Sequence, residues 1–319
     1  MKVSDPPRGL IVDLITPLNK NGDIDGRGLG QLLDRVLPWV HGVFLASPYM
    51  GEGTSLGPAQ LEEVLEKSLV VVRGRVPILV WISRNSEQQT KETLQLLEKR
   101  LEIRKYDGPV FWVDSPLFYH SNRGLAFNYQ NLSSMTREPF ILLNDPKLIQ
   151  QLASPLKRTN IRTSILKELT TIDAVRGLIF LGSLDRSHNY LKAVRRRSDF
   201  RIYDGGESRF LKHPSLSGLL SAGANLAPMP WRKITASSLG LDGDRDEYPD
   251  QLQQIWDLGS YIQALKVLYE SAAVPLVKQV LSDMGIIDSP ACSRETGEAM
   301  GEKVGRMETL MKQHGDYPQ

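Results

Sequence analysis

The chain has a single cysteine, Cys292, among 319 residues. An internal disulfide is therefore excluded, and one lone thiol suits a reducing compartment. Charge of one sign is scarce too: 39 Lys and Arg stand against 37 Asp and Glu, a formal net charge of +2. Such a balance gives no field that would draw nucleic acid or a membrane surface. No apolar run approaches the roughly 18 to 20 residues of a membrane span. The segment Met1 to Gly9 (MKVSDPPRG) has no apolar stretch of the secretory type. The histidines are His41, His120, His188, His213 and His314, and none lies three or four residues from another. Local metal-ligand spacing is thus missing. Phosphate loops of the GxxxxGK[ST] and GxGxxG types are also missing, as is a GxSxG nucleophile elbow. These absences lead us to expect a cytoplasmic protein with no metal, no nucleic-acid partner and no membrane partner.

What is present is an alternation of short apolar runs with helical patterns. Gly9 to Leu18 (GLIVDLITPL) reads as a strand buried on both faces, as in a parallel sheet. Leu29, Leu32, Leu33, Val36 and Leu37 then recur at helical spacing. Further strands are expected at Gly42 to Ser47, Val76 to Ile82, Pro109 to Val113 and Phe140 to Leu143. Thr163 to Leu166 is expected as the sixth, Phe200 to Tyr203 as the seventh and Gly218 to Ser221 as the eighth. Pro58 suits the first turn of a helix, and Ser86 with Gln89 suits a capping box. Eight strands with intervening helices fit a (β/α)8 TIM barrel. Ile172 to Leu181 reads as an insertion on the active-site face, shaping the pocket mouth or an oligomer contact; its apolar run Leu178 to Leu181 reads alternatively as a further strand, which leaves the count of eight open. Gly240 to Asp250 reads as a polar loop. Leu252 to Leu268, Ala272 to Met284 and Glu298 to Met311 have helical character. The expected organisation is a barrel over 9–238 and a C-terminal helical extension over 247–314.

Lys167 follows the expected sixth strand, in Ser164 to Thr170 (SILKELT). A barrel turns its strand C-termini toward the active site. A lysine desolvated there loses basicity, and its neutral amine can attack a carbonyl to form an imine. The structural alternative is a lysine at the rim that pairs with Glu168. The run Arg195 to Arg197 reads as the solvated end of a helix.

Several segments, in order, resemble the dihydrodipicolinate synthase and N-acetylneuraminate lyase family. GVFLASPYMGEGTSLG is similar to its second strand and GTTGES loop. SPLFYHSNRGL is similar to its PPYYNKPSQEGL segment, and PFILLNDP to its ILYNVP strand. SILKELT resembles the strand that carries its Schiff-base lysine within GIKE. IYDGGES and GLLSAGANLAP resemble its SGDD and GVISVAANVAP segments. The resemblance implies a barrel lyase or aldolase that handles a 2-oxo acid such as pyruvate through an imine on Lys167. It implies a homo-oligomer, dimer or tetramer, without a cofactor. It places substrate contacts at Ser47, Tyr49, Met50, Gly51, Asn144 and Gly205, with Glu52 in the same loop.

The departures concern proton transfer. Tyr49 and Met50 replace the paired threonines, and Pro48 the glycine before them. Leu143 replaces the tyrosine of YNVP, and Leu148 falls where an arginine usually follows. Loss of such hydroxyls puts about 10²- to 10⁴-fold of acid–base help at risk. Tyr119 and Tyr49 are candidate substitutes. Asp13 interrupts the first apolar strand and either faces the Lys167 region or turns outward to a helix terminus. Trp81, in place of a small glycine, either narrows the pocket or packs under helices. The alternative to an aldolase is a catalytically reduced barrel that binds a metabolite or serves assembly.

Overall fold

A computed structural model describes residues 5–152, 158–214, 217–241, 250–293 and 301–317. Eight parallel strands close into a barrel in chain order. They are β1 (Gly9–Asp13), β2 (Gly42–Leu45), β3 (Ile78–Trp81), β4 (Val110–Asp114), β5 (Phe140–Asn144), β6 (Val175–Phe180), β7 (Arg201–Asp204) and β8 (Gly218–Ser221). The helices are α1 (Gly26–Val36), α2 (Pro58–Val72), α3 (Glu87–Arg104), α4 (Pro116–Tyr119), α5 (Leu125–Ser133), α6 (Pro146–Gln150), α7 (Thr163–Leu169) and α8 (Leu184–Val194). They continue with α9 (Glu207–Lys212), α10 (Pro228–Leu239), α11 (Asp250–Tyr269), α12 (Ala273–Asp283) and α13 (Gly301–Gln313). The chain thus has the expected barrel followed by helices. Of the expected third C-terminal helix, 298–300 lie outside the described residues, as does most of the 240–250 loop.

Local chemistry sets the helix starts. Asp25 caps α1 by accepting from the Gly28 amide at 2.8 Å. Leu29, Leu32, Leu33 and Val36 then bury one face of α1 completely, each contributing about 1.5–3 kcal/mol. Pro58 occupies the first turn of α2. Ser86 caps α3, its hydroxyl accepting from the Gln89 amide at 3.2 Å.

The sixth strand is a correction. Thr163 to Leu169 is the helix α7, and Lys167 lies on its exposed face. Leu166 and Leu169 are buried while Lys167 and Glu168 between them are exposed, the i, i+3 pattern of a helix rather than the alternation of a strand. The true sixth strand is β6, which lies inside the stretch expected as an insertion. The strand total stays at eight because one element replaces the other. Arg197 fixes the approach to β6: its guanidinium donates to the Thr170 and Ile172 carbonyls, both at 2.8 Å, and pairs with Asp199.

Internal contacts divide the chain into two compact units. One contains β3 to β8 and the helices between them. The other contains β1, α1, β2, α2 and the chain after β8.

Candidate active site at the strand ends

In the unit of β3 to β8, helix contacts reveal which strand residues face outward. Phe140 meets Tyr129 of α5 edge-on at 5.6 Å, and Phe180 meets Tyr190 of α8 at 5.0 Å. The Trp112 indole donates to Thr136 at 2.8 Å, just beyond α5. Side chains alternate along a strand, so Val113, Ile141, Leu143 and Ile179 face the barrel interior. Leu143 and Ile179 are register partners, as are Ile179 and Tyr203. Trp81 is the partner of Val113 and so also faces inward. Its indole donates to Ser115 at 3.0 Å and meets Phe118 edge-on at 5.8 Å. The glycine-to-tryptophan replacement therefore narrows the interior.

The interior of this half is apolar where the sequence predicted chemistry. None of the eight strands contains a lysine. On β6, Gly177 to Phe180 (GLIF) is an apolar run whose inward-facing residue is Ile179. Ile179 is fully buried. The Tyr203 hydroxyl, its neighbour, turns away to donate to the Pro7 carbonyl at 2.6 Å. Burial pushes the Tyr203 hydroxyl well above its ordinary value.

The predicted residues of this half have other work. Tyr119 donates to Asp114 Oδ2 at 2.9 Å, and Tyr129 to the same oxygen at 2.6 Å. Ser83 donates to Asp114 Oδ1 at 2.6 Å. Asp114 shares the outward face with Trp112, so this cluster lies behind the strands and Tyr119 does not serve the interior. Burial raises the Asp114 carboxyl, opposed by its three hydroxyl donors. Burial and then Asp114 raise both tyrosines well above their ordinary values. Asn144 also faces outward. Its Oδ1 accepts from the Ile161 amide at 2.8 Å and from Tyr190 at 3.1 Å, and its Nδ2 donates to the Thr159 carbonyl at 3.1 Å. It anchors the 159–161 segment. Gly205 is a point of close approach: a Cβ there would sit 2.4 Å from Leu181 and 3.2 Å from the Phe180 carbonyl.

In the other unit, the loop after β2 forms a tight turn. Ser47 is buried and its hydroxyl accepts from the Gly51 amide at 2.9 Å. The Gly53 amide donates to the Ser47 carbonyl at 2.8 Å. Gly51 is required, because a Cβ would fall 2.3 Å from the Ser47 nitrogen. Thr16, which sequence reasoning passed over, donates to the Gly51 carbonyl at 2.8 Å. Met50 is buried, whereas Tyr49 is exposed. Asp13 ends β1, half-buried, with its carbonyl accepting from Asn225 at 2.8 Å. Its expected companion, Lys167, lies on helix α7 and not on a strand.

Glu52 has a role that sequence reasoning missed. It sits at φ 51° in the left-handed region. Its carboxylate pairs with the fully buried Lys278 of α12. It also accepts from the Ser293 amide at 2.6 Å and hydroxyl at 2.9 Å. A pocket of about 200 Å³ opens beside it, between Pro48, Tyr49, Val274 and Cys292. A lysine 226 positions from its glutamate gives no spacing signal. Among the described residues, no group of three or more His, Cys, Asp and Glu side chains is placed to hold a metal ion, and no helix is long and apolar enough to cross a membrane.

The fold defines a TIM-barrel protein whose candidate site lies at the strand C-termini. A model of the dihydrodipicolinate synthetase family matches residues 6–314, and the chain belongs to that family, a family of aldolase-type lyases. The 4-hydroxy-tetrahydrodipicolinate synthase of Ectopseudomonas mendocina is 25% identical over 92% of this chain and 97% of its own length. A probable 2-dehydro-3-deoxy-D-pentonate aldolase of Escherichia coli is also 25% identical, over 97% of this chain and 98% of its own. Among solved structures, a monomeric dihydrodipicolinate synthase variant superposes with TM-score 0.76 at 20% identity, covering 97% of both chains. The Acinetobacter baumannii dihydrodipicolinate synthase complexed with pyruvate gives TM-score 0.75 at 20% identity, covering 97% of this chain and 99% of its own.

Proposed function

We propose that this family member binds a small 2-oxo acid reversibly and does not hold it as a lysine imine. The observation that supports this reading is Ile179, an aliphatic side chain on β6 beside Leu143. An imine needs an amine within reach of the bound carbonyl. Lys167 is exposed on α7, and Lys278 is buried in an ion pair with Glu52. The second hydroxyl of the relay is missing too, since Leu143 faces inward and Tyr119 is committed to Asp114. What the family frame retains is the turn after β2, and its Met50 amide is the proposed anchor for the ligand carboxylate.

Calorimetric titration with pyruvate tests the reading. Saturable, reversible binding is expected. Met50→Pro, which removes one amide donor, should weaken it about tenfold, the worth of one hydrogen bond to a charged group. Absence of binding across pyruvate and a panel of other 2-oxo acids would overturn the proposal.

A further inference from the structure

The pocket beside Glu52 lies wholly within the unit of β1, α1, β2, α2 and the chain after β8. Its volume is about 200 Å³. A dry cavity of about 150 Å³ is enough for benzene, so this one takes a six-membered ring with a small substituent. Its walls are stiff. Pro48 comes from the loop after β2, and Pro275 from the first turn of α12. Proline holds its own φ near one value. The loop wall is fixed further by the left-handed Glu52 and by the bond from the Gly51 amide to Ser47. A preformed cavity spares a ligand the cost of ordering its site.

The lining has an apolar side and a polar edge. Pro48, Val274, Pro275 and the Tyr49 ring make the apolar side. Tyr49 is a large aromatic side chain left exposed, and its ring is a surface on which another ring packs edge-on or offset. Thr54 and Ser55 line the pocket and are exposed, so their hydroxyls mark its mouth. Charge decides what kind of ring fits. Among the described residues, Glu52 is the one charged side chain of the lining. Its Oε2 pairs with Lys278, and its Oε1 accepts from the Ser293 amide and hydroxyl. Lys278 also donates to the Ala291 carbonyl at 2.8 Å. The carboxylate is thus neutralised inside the protein. An ion entering the pocket would give up its hydration and meet no opposite charge in return.

We propose that this pocket is a separate ligand site for an uncharged, phenol-like ring. The ring packs against Tyr49, Pro48 and Val274, and its polar edge turns to the hydroxyls at the mouth. The site does not depend on the binding of a 2-oxo acid.

Cys292 supplies the readout. It lines the pocket and is the single cysteine of the chain, so alkylation of the full chain by iodoacetamide reads the pocket directly. Burial pushes its thiol up, and the reaction is followed at a pH of about 8.5, where thiolate is present. p-Cresol is the probe. It should slow alkylation saturably, by about fivefold or more, with a midpoint on the order of 1 mM, in the range open to a ligand of this size. Benzoate and benzylammonium, rings of similar size that carry a charge, should need about tenfold higher concentration or more. Val274→Trp, at a half-buried position, fills the cavity with an indole, and its alkylation rate should no longer respond to p-cresol. Ser55→Trp, at the exposed mouth, should behave alike and serves if the first variant is unstable. A wild-type rate that p-cresol leaves unchanged up to about 10 mM would overturn the proposal. So would protection that persists in both tryptophan variants, or equal protection by either charged ring.

Discussion

The loop after β2 and the β6 strand are built in opposite ways. In the loop, backbone geometry fixes which residues fit. Gly51 cannot carry a Cβ, and Glu52 holds a left-handed φ. The Ser47, Gly51 and Gly53 bonds close the turn with residues at family positions. In β6 the inward-facing residue is the aliphatic Ile179, beside Leu143. The loop is held by backbone geometry, whereas β6 is held by apolar packing. An isoleucine is also better suited than an amine to a dry interior, since burying an unpaired charge is costly.

The largest effect should come from separating Glu52 and Lys278. Replacing the lysine by methionine strands a buried carboxylate at the base of the loop. A loss of about 3–5 kcal/mol is expected, read by denaturant unfolding. A change below 1 kcal/mol would show that this pair does not hold the loop. Next comes the cluster behind β4. Tyr129→Phe removes one of the three hydroxyl donors of the buried Asp114 and should cost about 1–3 kcal/mol, with no loss of 2-oxo acid affinity. A marked loss of affinity would place the cluster in the site after all.

A pH-dependent effect is expected at Glu138. Burial first, then Glu98, raise its carboxyl to about 7. A folded value above the ordinary one means that the folded state holds its proton longer than the unfolded state. Stability should therefore fall as pH rises from about 4.5 to 7. Glu138→Gln removes that loss, so its melting temperature should exceed that of the wild type at pH 8 and match it near pH 4. An equal shift at both pH values would contradict the assignment. The smallest effect belongs to Lys167→Ala. An exposed helix residue should alter stability by no more than about 0.5 kcal/mol, and ligand affinity should not change.

Much of the barrel was legible in the sequence. Seven of the expected strands lie on or over observed ones, because each is a short apolar run bounded by turn residues. The sixth went astray for a physical reason. SILKELT contains the letters of a lysine strand, but Leu166 and Leu169 are three apart and bury one helical face. GLIF has the apolar continuity of a buried parallel strand and lacks the lysine that would have drawn attention to it. Trp81 was read with both orientations open, and the register with Val113 settles it inward. Asn144 and Gly205 were read as family positions, and the structure adds what spacing could not show, the hydrogen bonds of Asn144 on the outward face of β5 and the close approach of Gly205 to Leu181. Glu52 and Lys278 are far apart in sequence, so their pairing could not be read from spacing.

The central claim of the proposed function is that, among the described residues, no lysine side chain is placed on a barrel strand to form an imine. Incubation with pyruvate and borohydride, followed by intact mass and peptide mapping, tests it most directly. The wild-type chain should show no reduced adduct on any barrel residue, while a folded Ile179→Lys variant should gain one on the new lysine. A wild-type adduct that forms stoichiometrically at a single lysine would contradict the account.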